Sequence, residues 1–327
     1  MSARVITAAV VAAAAARLSY SVLRARPPGG AANWDRTNHR GEPITLLEGP
    51  AVAIGGIAGA LVAGGSGRDR LAVAVAGAGA AAFGSYDDLA GNGESRGFRG
   101  HLGALRKGEL TTGAVKLAGI GATGLAAAVI AGSSKADGKP RGPVTAAADV
   151  AINAGLIAGC ANLLNLFDLR PGRAIKVALL TGGLLTRMGG GAASAAPLAA
   201  AAALLPEDLG ERSMLGDGGA NALGAMLGAA AARTLPRPAR IAALGAVVGL
   251  TAASEVVSFT QVIERTPLLH WADMLGRRPA ASTPPNAAPD AGVAPDAGVA
   301  SGAESAPEAV SASEAEVASG ADAAPPR

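Results

Sequence analysis

Between residues 4 and 263 the chain alternates long apolar runs with short charged breaks. The runs fall near residues 4–23, 45–65, 69–88, 111–132, 145–167, 173–190, 191–206, 217–234 and 239–263. Each approaches the roughly 20 consecutive apolar residues that carry a helix across a bilayer core. The pattern predicts an all-α, polytopic transmembrane helix bundle of about nine or ten spans. Two boundaries stay open at this level. Residues 173–206 count as one run or two, and the first run also reads as a signal peptide with Arg4 as its basic head. The later runs require a membrane in either case.

Composition sharpens the picture. Half of the residues are hydrophobic (50%), yet only 2% are aromatic, and the apolar mass is alanine, glycine, valine and leucine. A soluble domain of this size would draw on Phe, Tyr and Trp for its core. The single cysteine, Cys160, excludes an internal disulfide and reads as a small buried hydrophobe. From Pro279 the style changes to PAASTPPNAAPDAGVAPDAGVASG, rich in proline and acids, with a short APDAGV repeat. Such a stretch cannot bury enough apolar surface to fold, so a disordered tail, 279–327, is expected after a membrane domain, 1–278.

Charge in alternate loops gives an orientation. One set holds Arg24, Arg26, Arg36, Arg40, Arg96, Arg99, Arg106, Lys107, Arg170, Arg173, Lys176, Arg212, Arg265, Arg277 and Arg278. The other holds Arg4, Arg68, Arg70, Lys135, Lys139, Arg141, Arg187, Arg233, Arg237 and Arg240. The first is the more basic, and the positive-inside rule assigns it to the cytoplasm. His39, His101 and His270 belong to the same set. No nucleic-acid partner is expected of a chain built this way.

The acids can then be assigned to faces. The run 69–88 ends inward at SYDDLAG with Asp87 and Asp88; the run 145–167 ends inward at ANLLNLFDLR with Asn162, Asn165 and Asp168. SMLGDGGANALG begins its run inward with Asp217, and Lys116 lies one turn into 111–132. Carboxylates from three distant runs thus arrive at one membrane boundary, where charge is costly unless it meets a partner, an ion or a cavity. An oxygen-rich set without a cysteine or histidine cage suits Mg²⁺. The first amides of the helix after Asp217, at Gly218 and Gly219, predict an anion cradle. Each feature also has a plainer reading: a solvated stop for the aspartate pair, interhelical hydrogen bonding for the asparagines, snorkelling for Lys116. The coincidence at one face favours a site.

As a set, these motifs resemble the polyprenyl-phosphate N-acetylhexosamine-1-phosphate transferase family, over about Asn33 to Asp273. SYDDLAG is similar to its paired-aspartate motif, NLLNLFD to the front of N-x-x-N-x-x-D-G, and LGDGGANALG to G-D-x-G-S-x-x-L-G. NHRGEPITLLEGPAVAIGG resembles its cytoplasmic loop and second span, and SEVVSFTQVIERTPLLHWADMLGR its last helix and histidine-bearing loop. The resemblance implies Asp217 as the Mg²⁺ ligand, with Asp87 and Asp88 beside the metal and the lipid phosphate. It implies Asn162, Asn165, Asp168 and Gly218 along the nucleotide diphosphate, Lys116 neutralising phosphate, and His270 as a catalytic or binding histidine.

The function so implied is Mg²⁺-dependent transfer of a sugar 1-phosphate from a uridine-linked nucleotide sugar to a polyprenyl phosphate. It would serve cell-envelope polysaccharide or peptidoglycan precursor synthesis at the cytoplasmic face, in a protein that dimerises as such enzymes often do. The departures are specific. Pro171 stands at the family's second acidic position, Gly219 and Ala220 replace the serine motif, Met214 stands for an aromatic, and one histidine replaces a cluster. They imply altered nucleotide and sugar recognition, or a membrane scaffold that keeps the fold without the activity.

Overall fold

In the computed structural model, which describes residues 2–91, 108–109, 111–132 and 142–279, the chain is a helix bundle with one small β-hairpin. The proposed tail and the basic loop with His101 lie outside the described residues. The bundle begins with α1 (Ala3–Ala25), which buries Ala8, Ala12, Ala16 and Tyr20 at four-residue spacing and turns Val10, Leu18 and Val22 outward. Its small stripe packs on α2 (Glu48–Val62), where a side chain at Gly59 would lie 2.6 Å from the Ala12 methyl. So α1 is a packed member of the bundle. Glycine and alanine in this interface let the two backbones approach closely.

The next elements are α3 (Gly67–Ala90), α4 (Thr112–Ala131) and α5 (Pro143–Phe167). Then come α6 (Arg173–Leu185) and α7 (Gly191–Leu209), joined through a single π-turn at Thr186–Gly190. The α6–α7 apolar stretch covers 37 residues. A straight helix of that length would run roughly 55 Å, far beyond a bilayer core of about 30 Å. It folds back instead. Gly189 takes φ 109°, Thr186 Oγ1 meets Ser194 Oγ at 2.9 Å, and Gly182 lies against Leu198. Gly172 at the start of one leg touches Leu209 at the end of the other. The expected runs 173–190 and 191–206 are therefore two antiparallel legs.

The central helix is α8 (Gly216–Thr234), buried along most of its length and packed by α2, α3, α5, α6 and α7. Gly224 and Gly228 bring it onto the backbone of α5, and Met226 fills the space over Gly56 and Gly77. A helix sheathed by protein has no lipid to meet, which is why α8 tolerates Asp217 and Asn221.

After α8 the chain runs through α9 (Arg237–Ser254), α10 (Phe259–Arg265) and α11 (Pro267–Met274). The single span expected over 239–263 is corrected here: α9 and α10 are separate helices bent by 92°. Ser258 Oγ caps the Gln261 amide and starts α10 afresh. Among the described residues four stretches are long and apolar enough to cross a membrane, the folded-back α6–α7 pair counting as one of them, or five with the bent pair. The higher count of runs includes α2, with only 15 residues, and the protein-sheathed α8.

The hairpin consists of β1 (Asp35–Thr37) and β2 (Pro43–Thr45), paired antiparallel. Thr45 also bridges to Ser213, and Trp34, Leu46 and Leu47 pack with Met214. The segment read as a plain loop is thus pinned beside the entrance to α8.

Candidate functional site

The glycines of GDGG set the site by permitting close approach. A side chain at Gly84 in α3 would strike the Asp217 carbonyl, and one at Gly49 in α2 the Leu215 carbonyl. Gly216 has φ +60°, a left-handed turn that favours glycine. The start of α8 is therefore held against the end of α3, with Asp88 over it.

Asp88 caps α8 from a neighbouring helix. Its Oδ1 accepts the Asp217 amide at 3.0 Å and its Oδ2 the Gly218 amide at 2.9 Å. The Gly219 amide goes to the Leu215 carbonyl at 3.1 Å. The anion cradle expected at Gly218 and Gly219 is thus corrected: both amides are already spent, one of them on a carboxylate that meets the positive end of the helix dipole.

The functional side chain of α4 is Lys116. Its ammonium lies 2.6 Å from Asp87 Oδ2 and 2.5 Å from Asp217 Oδ2, all three side chains being largely buried. Thr111 caps α4 and fixes its entry, and Thr112 hydrogen-bonds Asp87. From α5, Asn165 hydrogen-bonds the Asp217 side chain, while Asn162 lies one turn further back. Asp168 ends α5 and accepts the Gly216 amide. Burial pushes the Asp168 carboxyl well above the usual carboxylate range, helped by the nearby charges of Asp208, Asp217 and Asp88.

The structure thus brings together Asp87, Asp88, Lys116, Asn165, Asp168, Asp217 and Gly218. His270 stands apart: its side chain is exposed on α11 and makes no hydrogen bond or ion pair with the cluster. A different histidine, His39, lines a cleft of about 230 Å³ next to the cluster, together with Asn38, Asp168, Arg170, Asp208 and Met214. Pro171 lines it too.

Two acids escaped the sequence reading. Glu48 at the start of α2 is fully buried and accepts the Ser213 hydroxyl at 2.6 Å; Asp208 near the end of α7 is 2% exposed. Each keeps one oxygen without a hydrogen-bond partner among the described residues. Their signal was an acid inside an apolar run, TLLEGPAVAIGG for Glu48 and AALLPEDLG for Asp208.

Compared with known proteins, the chain matches no family model and no curated sequence. The site has to be read from its chemistry.

Two carboxylate oxygens share one cationic partner, so the arrangement is built to hold positive charge. Among the described residues no three His, Cys, Asp or Glu side chains group to hold a metal by themselves. Mg²⁺ asks for less: it usually binds through one or two carboxylates and completes its shell with water and phosphate oxygens. Asp217 and Asp87, with Lys116 between them, fit that type of donor set.

Proposed function

We propose that this protein is a membrane-embedded transferase that moves a sugar 1-phosphate from a uridine-linked nucleotide sugar to a polyprenyl phosphate. It uses Mg²⁺ at the cytoplasmic face and supplies precursors for envelope polysaccharide or peptidoglycan. One observation carries the reading: Asp87, Asp217 and Lys116, from three separate helices, meet within 2.6 Å contacts at one end of the bundle, beside the cleft that His39, Asp168 and Arg170 line.

An acceptor phosphate oxygen attacks the sugar-proximal phosphorus of the diphosphate. A new P–O bond forms, the bond to the nucleoside phosphate breaks, and nucleoside monophosphate leaves. Phosphoryl transfer asks mainly for positioning and charge neutralisation. Bound Mg²⁺ would supply neutralisation of the diphosphate oxygens. Asp217 and Asp87 are the residues to hold it, and Lys116 adds a second positive charge for phosphate. Asp88 fixes the start of α8 by accepting the Asp217 and Gly218 amides, so the Asp217 carboxylate is preorganised. Asn165 holds the Asp217 side chain, and Asp168 forms the wall toward the cleft. No general base is required, because a phosphate monoester, with a second pKa of about 6, is mostly dianionic at neutral pH.

The test is radiolabelled nucleotide sugar incubated with membranes containing the protein and with polyprenyl phosphate. Lipid-linked label that needs Mg²⁺ and vanishes in Asp217→Asn supports the transferase. No label across several donors, from folded protein, supports a second reading: a scaffold that keeps the fold. That reading draws on Asp88 being engaged by amides and Lys116 neutralising its two acids.

A further inference from the structure

Helix α11 is amphipathic in the opposite sense to a water-facing helix. Its buried residue is Asp273, whose carboxylate takes two hydrogen bonds from Arg173 at 2.7 and 3.0 Å. Lys176 adds a hydrogen bond to the Ala272 carbonyl at 3.2 Å. The outward face carries Leu268, 72% exposed, and Trp271, 60% exposed, with Leu269, Met274 and Leu275 beside them. On the preceding elbow Val256 is 76% exposed. The charged residue is pinned inward and the apolar residues are turned out. Water is the wrong solvent for that arrangement.

The fold indicates what covers it. The chain leaves the apolar helix α9 through a 92° bend, so α10 runs nearly at right angles to it. Arg265 precedes α11, Arg277, paired with Asp273, and the half-exposed Arg278, paired with Glu42, follow it, and a tryptophan sits mid-face. Apolar residues and tryptophan on one side, with basic residues at the ends, suit the boundary between acyl chains and anionic headgroups. We propose that α10 and α11 form a shelf in the membrane interface, with the apolar face of α11 in lipid and the Arg173–Asp273 pair holding it to α6. This inference rests on the membrane fold and not on the transfer reaction.

The chain has two tryptophans, and Trp34 is 7% exposed, so the ring of Trp271 can be read by fluorescence. The full protein is reconstituted in vesicles of phosphatidylcholine and phosphatidylglycerol. The Trp271 signal is taken as the difference between wild type and Trp271→Phe, which leaves Trp34 in place. An interfacial helix sits about 5–10 Å into the headgroup–acyl boundary. Bromine near the top of the acyl chains should therefore quench Trp271 several-fold more than bromine near their ends, and aqueous iodide should quench it several-fold less than free tryptophan. Full iodide quenching would overturn the proposal in favour of water. Protection from both quenchers that rises with protein density would overturn it in favour of a second copy of the chain.

Discussion

Two polar clusters lie toward opposite ends of α5, and their difference in charge balance is instructive. Near its start, Asp149 and Asn153 are buried against α9: Arg237 reaches Asp149 at 2.9 Å, Arg240 reaches Asn153 at 2.7 Å and Asp149 at 3.7 Å. There the bases outnumber the acid, and the side chains of Asp149 and Arg240 are almost wholly covered. Near the other end, Asp168 adjoins Asp88 and Asp217, Lys116 pairs with Asp87 and Asp217, and Arg36 donates to the Asp88 carbonyl. The first cluster holds two bases for one acid, as a structural pair would. The second has carboxylate to spare beside a cleft, as a cation-dependent site requires.

The largest expected effect separates the two directly. Asp217→Asn should lower Mg²⁺-dependent transfer by roughly 10²–10³-fold, the range for losing a preorganised electrostatic group. Asp149→Asn should leave the specific activity of the folded fraction unchanged. Labelled lipid product per folded protein reads both.

Stability should divide the other way. Removing one partner of a buried ion pair costs about 3–5 kcal/mol because the other charge is left uncompensated. Arg240→Ala should therefore lower the melting midpoint in detergent, with no recovery on adding Mg²⁺. Lys116→Ala should also lower it, but Mg²⁺ should restore a larger part than it adds to wild type. Equal responses of the two variants would erase the distinction between the clusters.

A smaller effect tests how α8 is seated. Gly84→Ala sets a methyl against the Asp217 backbone, and overpacking of this kind costs about 1–3 kcal/mol. It should weaken Mg²⁺ dependence together with stability, since it moves the end of α3 that carries Asp87 and Asp88.

The smallest concerns pH at α11. Burial alone would push the Asp273 carboxyl up, but the hydrogen bonds from Arg173, with the charges of Arg173, Arg277 and Lys176, hold it below its usual range. A depressed carboxyl stabilises the fold above its unfolded value of about 3.9, and that contribution fades as pH falls through the lower folded value. Trp271 emission should accordingly change only below about pH 4, and Asp273→Asn should abolish the change.

Which features were legible in the sequence follows from the range of the physics involved. Apolar runs report helices because burial in lipid is a local requirement, and the meeting of Asp87, Asp168 and Asp217 follows from alternating helix direction. The fold-back at Gly189 was legible only as the open choice between one run and two over 173–206, and the bend before Ser258 was not legible. Each is fixed by a few residues inside an otherwise apolar stretch: a φ of 109° in one case, a serine cap in the other. The capping role of Asp88 was hidden for a different reason. It depends on Gly84 and Gly216 letting two backbones meet, a tertiary fact that a DD pair at a helix end does not encode. His39 was overlooked in favour of His270 because only the β-hairpin brings it to the cleft.

The most direct test of the central claim is Mn²⁺ bound in place of Mg²⁺, counted by electron paramagnetic resonance on the full protein in nanodiscs with uridine diphosphate. The account predicts one tightly bound ion in wild type and in Asp149→Asn, and its loss in Asp217→Asn. Undiminished binding in Asp217→Asn, or its loss in Asp149→Asn from folded protein, would contradict it.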